Sequence, residues 1–111
     1  MLGLDIVEID RVRRLARRNP RFLKRVFSPE ELLYCKRKPK PWQHFAVRFA
    51  AKEAVWKALG QGGVALSDIA VQSASNGRPT VLIRGRRPRP PIEVSLSHSE
   101  RYAVAVAMVV R

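Results

Sequence analysis

Arg48-Phe49-Ala50-Ala51-Lys52-Glu53-Ala54-Val55-Trp56-Lys57-Ala58-Leu59-Gly60 is the stretch on which the fold turns. Ala, Leu, Lys and Glu favour helix and Gly60 supplies a C-terminal stop, so a long helix is predicted from about Trp42 to Leu59. Phe45, Phe49, Trp56 and Leu59 recur at spacings of four, seven and three, which predicts that they form its buried face. Glu53 and Lys57 lie one turn apart and point the same way. Two readings of that pair stay open. It is a solvated ion pair worth roughly 0.3 kcal/mol to the helix, or it is part of a site.

Upstream, Ser28-Pro29-Glu30-Glu31 is a helix start, with Ser as cap, Pro at the first helical position and Glu31 where a capping box wants it. The helix that follows is predicted to hold Leu32, Leu33 and Cys35 inward. Before it, Asp10 reads as the N-cap of a helix with Val12, Leu15 and Ala16 inward and arginines outward. Pro20 interrupts that helix, and Phe22, Leu23, Val26 and Phe27 continue the apolar pattern. Leu2 to Ile9 reads as a strand, with Leu4, Ile6 and Glu8 on one face and Asp5, Val7 and Ile9 on the other.

Downstream, Gln61-Gly62-Gly63 is a connection, and the second half is predicted to be antiparallel strands. Ile69–Ser73 and Thr80–Ile83 flank an Asn76-Gly77 turn signal. Residues 84–91, Arg-Gly-Arg-Arg-Pro-Arg-Pro-Pro, suit neither helix nor central strand and form an exposed connection. Ile92–Leu96 and Tyr102–Val110 make a final hairpin around Ser97-His98-Ser99-Glu100-Arg101. The last strand has large residues on one face and mostly alanine on the other, which predicts cover on both sides and close approach of a helix. The fold class is α+β, an antiparallel sheet packed against helices, as one domain over residues 1–111.

Composition narrows the partners. The chain has 22 Lys and Arg against 9 Asp and Glu, a formal net charge of +13, and such a field attracts polyanions and acidic proteins. Arg11, Arg13, Arg14, Arg17, Arg18, Arg21, Lys24 and Arg25 crowd one segment with no acidic residue between them. No run approaches the roughly 20 apolar residues of a membrane span, and the N-terminus lacks a signal pattern, so a cytoplasmic protein with no membrane partner is expected. The single cysteine, Cys35, has no disulfide or metal-ligand companion and reads as a plain helix residue.

Polar residues sit where burial alone would not put them. Asp is depleted in strands, yet Asp5 lies inside an apolar one. If Asp5 and Glu53 converge, two carboxylates with waters and phosphate oxygens make the kind of site Mg²⁺ prefers. Lys57 would then neutralise phosphate.

Three blocks carry a family resemblance: Gly3-Leu4-Asp5-Ile6-Val7-Glu8-Ile9-Asp10-Arg11, Arg48 to Gly60, and Ser95-Leu96-Ser97-His98 before Tyr102-Ala103-Val104-Ala105. In this order they resemble holo-acyl-carrier-protein synthase, the short bacterial type of 4′-phosphopantetheinyl transferase. The resemblance implies transfer of the phosphopantetheine arm of coenzyme A to a serine of apo-acyl carrier protein, releasing adenosine 3′,5′-bisphosphate and readying the carrier for fatty acid synthesis. It implies Mg²⁺ held by Asp5 and Glu53, with Lys57 at the phosphates as the third catalytic residue. Lys52 is ranked below these as structural. Arg48, the turn of Asn76, Gly77, Arg78 and Pro79, and Ser97-His98 match regions that hold the nucleotide. For His98, a hairpin histidine bonded to backbone is the alternative. Arg11, Arg18 and Arg21, with Leu15 and Phe22 beside them, match the docking surface for the acidic carrier protein. For Arg13, Arg14 and Arg17 a solvated basic face is preferred. The family forms homotrimers with active sites between subunits.

Residues 84–91 depart from the pattern, replacing what is commonly a helix before the last hairpin. The rival reading is a small basic nucleic-acid-binding domain, which the charge suits. It lacks an aromatic-interleaved basic sheet, zinc spacing or a recognised motif, and it leaves Asp5 unexplained. An inactive relative kept as an interaction module would be expected to lose the carboxylates, and both are present.

Overall fold

In chain order the elements are β1 (Leu2–Glu8), α1 (Ile9–Arg18), α2 (Phe22–Val26), α3 (Pro29–Lys36), α4 (Pro41–Ala58), β2 (Ile69–Ser73), β3 (Pro79–Ile83), β4 (Ile92–His98) and β5 (Tyr102–Val109), with a 3₁₀ turn at Leu66–Asp68. They come from a computed structural model that describes residues 1–60 and 62–111. Gln61, part of the connection expected after the long helix, lies outside the described residues. The strands form two antiparallel sheets, one ordered β1-β5-β4 and the other the β2-β3 hairpin. The α+β class holds. Among the described residues, no helix is long and apolar enough to cross a membrane.

The core is built by close approach rather than by bulk. Ala103, Ala105 and Ala107 of β5 are buried, as are Ala46, Ala50, Ala54 and Ala58 along one stripe of α4. Gly3 shows how tight the fit is: a Cβ there would fall 1.8 Å from the carbonyl oxygen of Ala54. This corrects the expected buried face of α4. Phe45 is buried, but Phe49, Trp56 and Leu59 are half-buried and pack at the margin of the core. A helix lying this near a sheet has room for methyl groups beneath it, so its large side chains move to the flanks.

Other expectations change locally. The N-cap of α1 is Glu8, not Asp10, which sits in the first turn and pairs with Arg13 and Arg14. The Ser28–Glu31 capping box forms as expected. On α3, however, Leu33 is exposed and the buried residues are Glu31 and Cys35. Burial pushes the Cys35 thiol up to about 11, so it is a poor nucleophile. The large face of β5 is not covered by the chain: Tyr102, Val106 and Met108 are exposed beside Leu2, Leu4 and Ile6 of β1.

Candidate functional site

Strand alternation turns Gly3, Asp5 and Val7 toward α4 and leaves Leu4 and Ile6 outside. Asp5 thereby meets the C-terminal half of α4. Lys57 Nζ donates to the Leu4 carbonyl at 3.0 Å and to Asp5 Oδ1 at 3.2 Å. Of the two readings of Glu53 and Lys57, the surface pair is not what forms: Lys57 bridges to Asp5 across the helix–strand junction. Burial raises the Glu53 carboxyl above its usual range, the Asp5 charge raises it further, and Lys57 offsets part of this. Two carboxylates that repel each other in a half-buried notch, with one lysine between them, fit a hard divalent cation that brings water and phosphate oxygens to complete its shell. Among the described residues, no group of three or more His, Cys, Asp or Glu side chains converges as a closed metal cage.

Lys52, next to Glu53, points into the core. Its side chain is fully buried, Nζ lies 2.7 Å from Glu31 Oε1, and it also donates to the Ile69 carbonyl. Glu31 accepts from the Ser28 amide at 2.9 Å and from the Val71 amide at 3.0 Å. This ion pair ties α3, α4 and β2 together and fixes how α4 is rotated. Burial pushes the Lys52 amine below its ordinary value, while Glu31 opposes that shift.

Arg48 and Lys57 are nine positions apart, roughly two and a half helical turns, and so leave α4 on opposite sides. The Arg48 guanidinium lies over the Tyr34 ring, 4.0 Å from its centroid, and lines a cavity of about 250 Å³ with Glu31, Gln72 and Ser73. Burial pushes the Tyr34 phenol up, but a hydrogen bond with Ser73 and the charges of Arg48 and Lys38 outweigh this and leave it low. His44 is also held low, by burial first and then by Arg48, Lys38 and His98. His98 ends β4 at the hairpin, with Nδ1 3.2 Å from the Ser99 carbonyl. Ser97 is exposed, in register with Val104 and, across β5, Ile6. Asn76, Gly77 and Pro79 form the β2-β3 turn and its exit, against the gap between β3 and β4. Within one chain, then, the residues expected to bind nucleotide do not gather around Asp5, Glu53 and Lys57.

On α1, Arg11, Leu15 and Arg18 fall four and three residues apart, on one stripe. Beyond it, Arg21 is exposed and Phe22 packs on Phe49 with ring centroids 5.7 Å apart. Arg13 and Arg14 are tied to Asp10 and Glu8, whereas among the described residues no carboxylate lies within ion-pair reach of Arg11, Arg18 or Arg21.

Sequence reasoning missed Glu31 as the partner of Lys52, and missed Tyr34 and His44 beside Arg48. The signal that could have found Glu31 is a lysine inside the apolar stripe of a helix, which needs a buried carboxylate to be tolerated there. Nothing local said which one.

A helix laid on an antiparallel sheet, with two carboxylates and a lysine from distant segments brought to their junction, is the frame in which the chain's relatives are to be sought. Residues 1–107 match the family model of the 4′-phosphopantetheinyl transferase superfamily. A holo-[acyl-carrier-protein] synthase of Moorella thermoacetica is 45% identical over 116 aligned positions, covering 96% of this chain and 91% of that protein. The crystal structure of the Helicobacter pylori holo-[acyl-carrier-protein] synthase in complex with coenzyme A superposes with a TM-score of 0.83 at 34% identity, covering 99% of this chain and 100% of that one. The Neisseria meningitidis synthase gives a TM-score of 0.87 at 29% identity, covering 99% and 97%. The chain belongs to the 4′-phosphopantetheinyl transferase superfamily and, within it, to the holo-[acyl-carrier-protein] synthases.

Proposed function

We propose that this protein, a single catalytic domain working in the cytoplasm, moves the 4′-phosphopantetheine group of coenzyme A onto a serine hydroxyl of an acidic apo-acyl carrier protein. The serine oxygen bonds to the phosphorus bearing the pantetheine arm, and the bond from that phosphorus to the bridging oxygen breaks. Adenosine 3′,5′-bisphosphate leaves and the serine proton passes to solvent. The observation that carries this reading is the convergence of Asp5, Glu53 and Lys57 from two distant segments of a chain in this family.

Asp5 and Glu53 would hold Mg²⁺, which supplies charge neutralisation at the pyrophosphate when bound. Lys57, anchored by Asp5 and the Leu4 carbonyl, is placed to meet negative charge as it develops on the phosphate oxygens. The free arginines of α1 recruit the carrier by charge complementarity, which favours a fast on-rate that weakens with salt.

The working form is a homotrimer. Two features support this: the exposed apolar face of β1 and β5, and the placement of Arg48 on the side of α4 away from Lys57. A neighbouring copy can cover the first and complete the site that one chain leaves divided. The family makes this reading better supported than a nucleic-acid-binding domain.

The test is mass spectrometry of apo-acyl carrier protein incubated with this protein, coenzyme A and Mg²⁺. Added phosphopantetheine mass is expected, lost on chelation of the metal and in Glu53→Gln. A folded protein that adds no mass would overturn the proposal, and near-normal turnover by Glu53→Gln would return that residue to the helix surface.

A further inference from the structure

Helix α4 meets the three-stranded sheet through methyl groups and glycine. Ala46, Ala50, Ala54 and Ala58 are fully buried, against a β1 whose Gly3 leaves no room for a Cβ and a β5 whose buried residues are alanines. Such a surface sets how close the helix comes, but it has no ridge deep enough to key the rotation of α4 about its own axis. Glu53 and Lys57 stand at the edge of the alanine stripe, roughly 60–100° round the helix. Rotation therefore decides how they face Asp5. The notch cannot set that angle by itself, because Asp5 and Glu53 carry like charges that drive them apart until a cation arrives.

Lys52 lies two residues from both Ala50 and Ala54, roughly 160–200° from each, and so leaves α4 on the side away from the sheet. There its Nζ meets Glu31 Oε1 at 2.7 Å and donates to the Ile69 carbonyl. Glu31 is itself fixed from several directions. Its Oε1 accepts from the Ser28 amide at 2.9 Å, its Oε2 accepts from the Val71 amide at 3.0 Å, and its own amide donates to Ser28 Oγ at 3.2 Å. Ile69 and Val71 belong to β2, in a sheet separate from the one beneath α4, so one helix and one strand hold the ammonium together. No water reaches these groups to replace a broken bond, and a turn of α4 that pulled them apart would be strongly opposed, where apolar side chains would slide. A rotation of about 20° carries side-chain tips, about 5–6 Å from the helix axis, through about 2 Å. Productive catalytic geometry is held to about 0.5 Å, and a misplacement of about 1 Å can cost about a hundredfold in rate.

We propose that Lys52 and Glu31 are positioning residues of the transfer reaction: their buried pair locks the rotation of α4 from the side away from the sheet and so holds Glu53 and Lys57 against Asp5. The inference rests on the transferase reading and on the notch as its cation site. Both side chains are sealed in the core and act on the reaction only through Glu53 and Lys57. Lys52 and Glu53 are neighbours in sequence with divided work, one facing inward to set the helix and the other facing the notch that the helix presents.

The experiment compares wild type with the double variant Lys52→Met/Glu31→Gln, with Glu31→Asp, and with the control Val26→Ala, which truncates a buried side chain on α2 and leaves the pair intact. Glu31→Asp keeps the charge but draws the carboxylate back by one methylene, away from Lys52 and the Val71 amide. Circular dichroism at the assay temperature gives the folded fraction, to which every rate is normalised. Steady-state transfer gives kcat and the KM of each substrate, and titration with Mn²⁺, followed by its paramagnetic resonance, gives cation affinity without turnover. The double variant should lose about a hundredfold in kcat per folded molecule and about tenfold in Mn²⁺ affinity, with the KM for carrier protein unchanged. Glu31→Asp should move kcat and Mn²⁺ affinity the same way by less, and Val26→Ala should move neither. Near wild-type kcat and Mn²⁺ affinity in the folded double variant would overturn the positioning role and leave the pair a matter of stability alone. If that variant does not fold, the same result in Glu31→Asp overturns it. Mn²⁺ binding that depends on the pair, in a protein that transfers nothing, would overturn the transferase reading and leave the positioning standing.

Discussion

Replacing Lys52 by methionine removes one member of a buried ion pair whose side chains are 0% and 1% exposed. Glu31 is then left charged in the core, keeping the Ser28 and Val71 amides as donors. Breaking such a pair from one side typically costs about 3–5 kcal/mol, because the cost of desolvating the survivor is no longer offset. For a chain of this length that is about 4 °C per kcal/mol, or a fall in Tm of about 12–20 °C. Glu31→Gln should do comparable damage, because it removes the negative charge that offsets the buried Lys52 ammonium and turns an amide N–H₂ toward groups that need an acceptor. The double variant Lys52→Met/Glu31→Gln buries no charge and should recover about 2–3 kcal/mol relative to the sum of the singles, the coupling expected of contacting residues. Guanidinium unfolding followed by the fluorescence of Trp42 and Trp56, both on α4, reports these values. Protomer concentration must be held constant, since association shifts apparent stability. If Lys52→Met costs less than about 1 kcal/mol, or the double variant costs as much as both singles together, the pair does not hold α4 to α3 and β2 in the way described.

Reversing Arg18 and Arg21 to Glu should raise the half-saturating concentration of carrier protein about tenfold at low salt, with a smaller effect as salt rises. Coenzyme A binding should not change; equal damage to both substrates would mean that these arginines serve the nucleotide. Leu4→Glu and Val106→Glu place charges on directly paired positions of the exposed apolar face. Light scattering should show these variants as single chains where wild type has the mass of three, and a wild-type protein that is monomeric at micromolar concentration would refute the trimer.

The element order was legible because its signals are local. Ser28-Pro29-Glu30-Glu31 began α3 as expected, Asn76-Gly77 closed the β2-β3 hairpin, and Pro20 separated α1 from α2. The burial pattern of α4 was not legible from its aromatics, because alanine carries almost no periodic signal of its own. The depth at which α4 sits depends on Gly3, more than fifty positions away, and on the alanine face of β5. The sequence marked Asp5, Glu53 and Lys57 as residues out of place for a core, and the order of three blocks pointed to the family.

By itself, then, the sequence determined the elements, their class and which polar residues needed explaining, since propensity, capping and alternation act over a few residues. Only the tertiary structure decided the partnerships. It took Lys57 from Glu53 and gave it to Asp5, matched Lys52 to Glu31 and left one sheet face bare. Each is a contact between segments far apart in the chain, and such contacts are fixed by how surfaces pack rather than by any residue's neighbours in sequence.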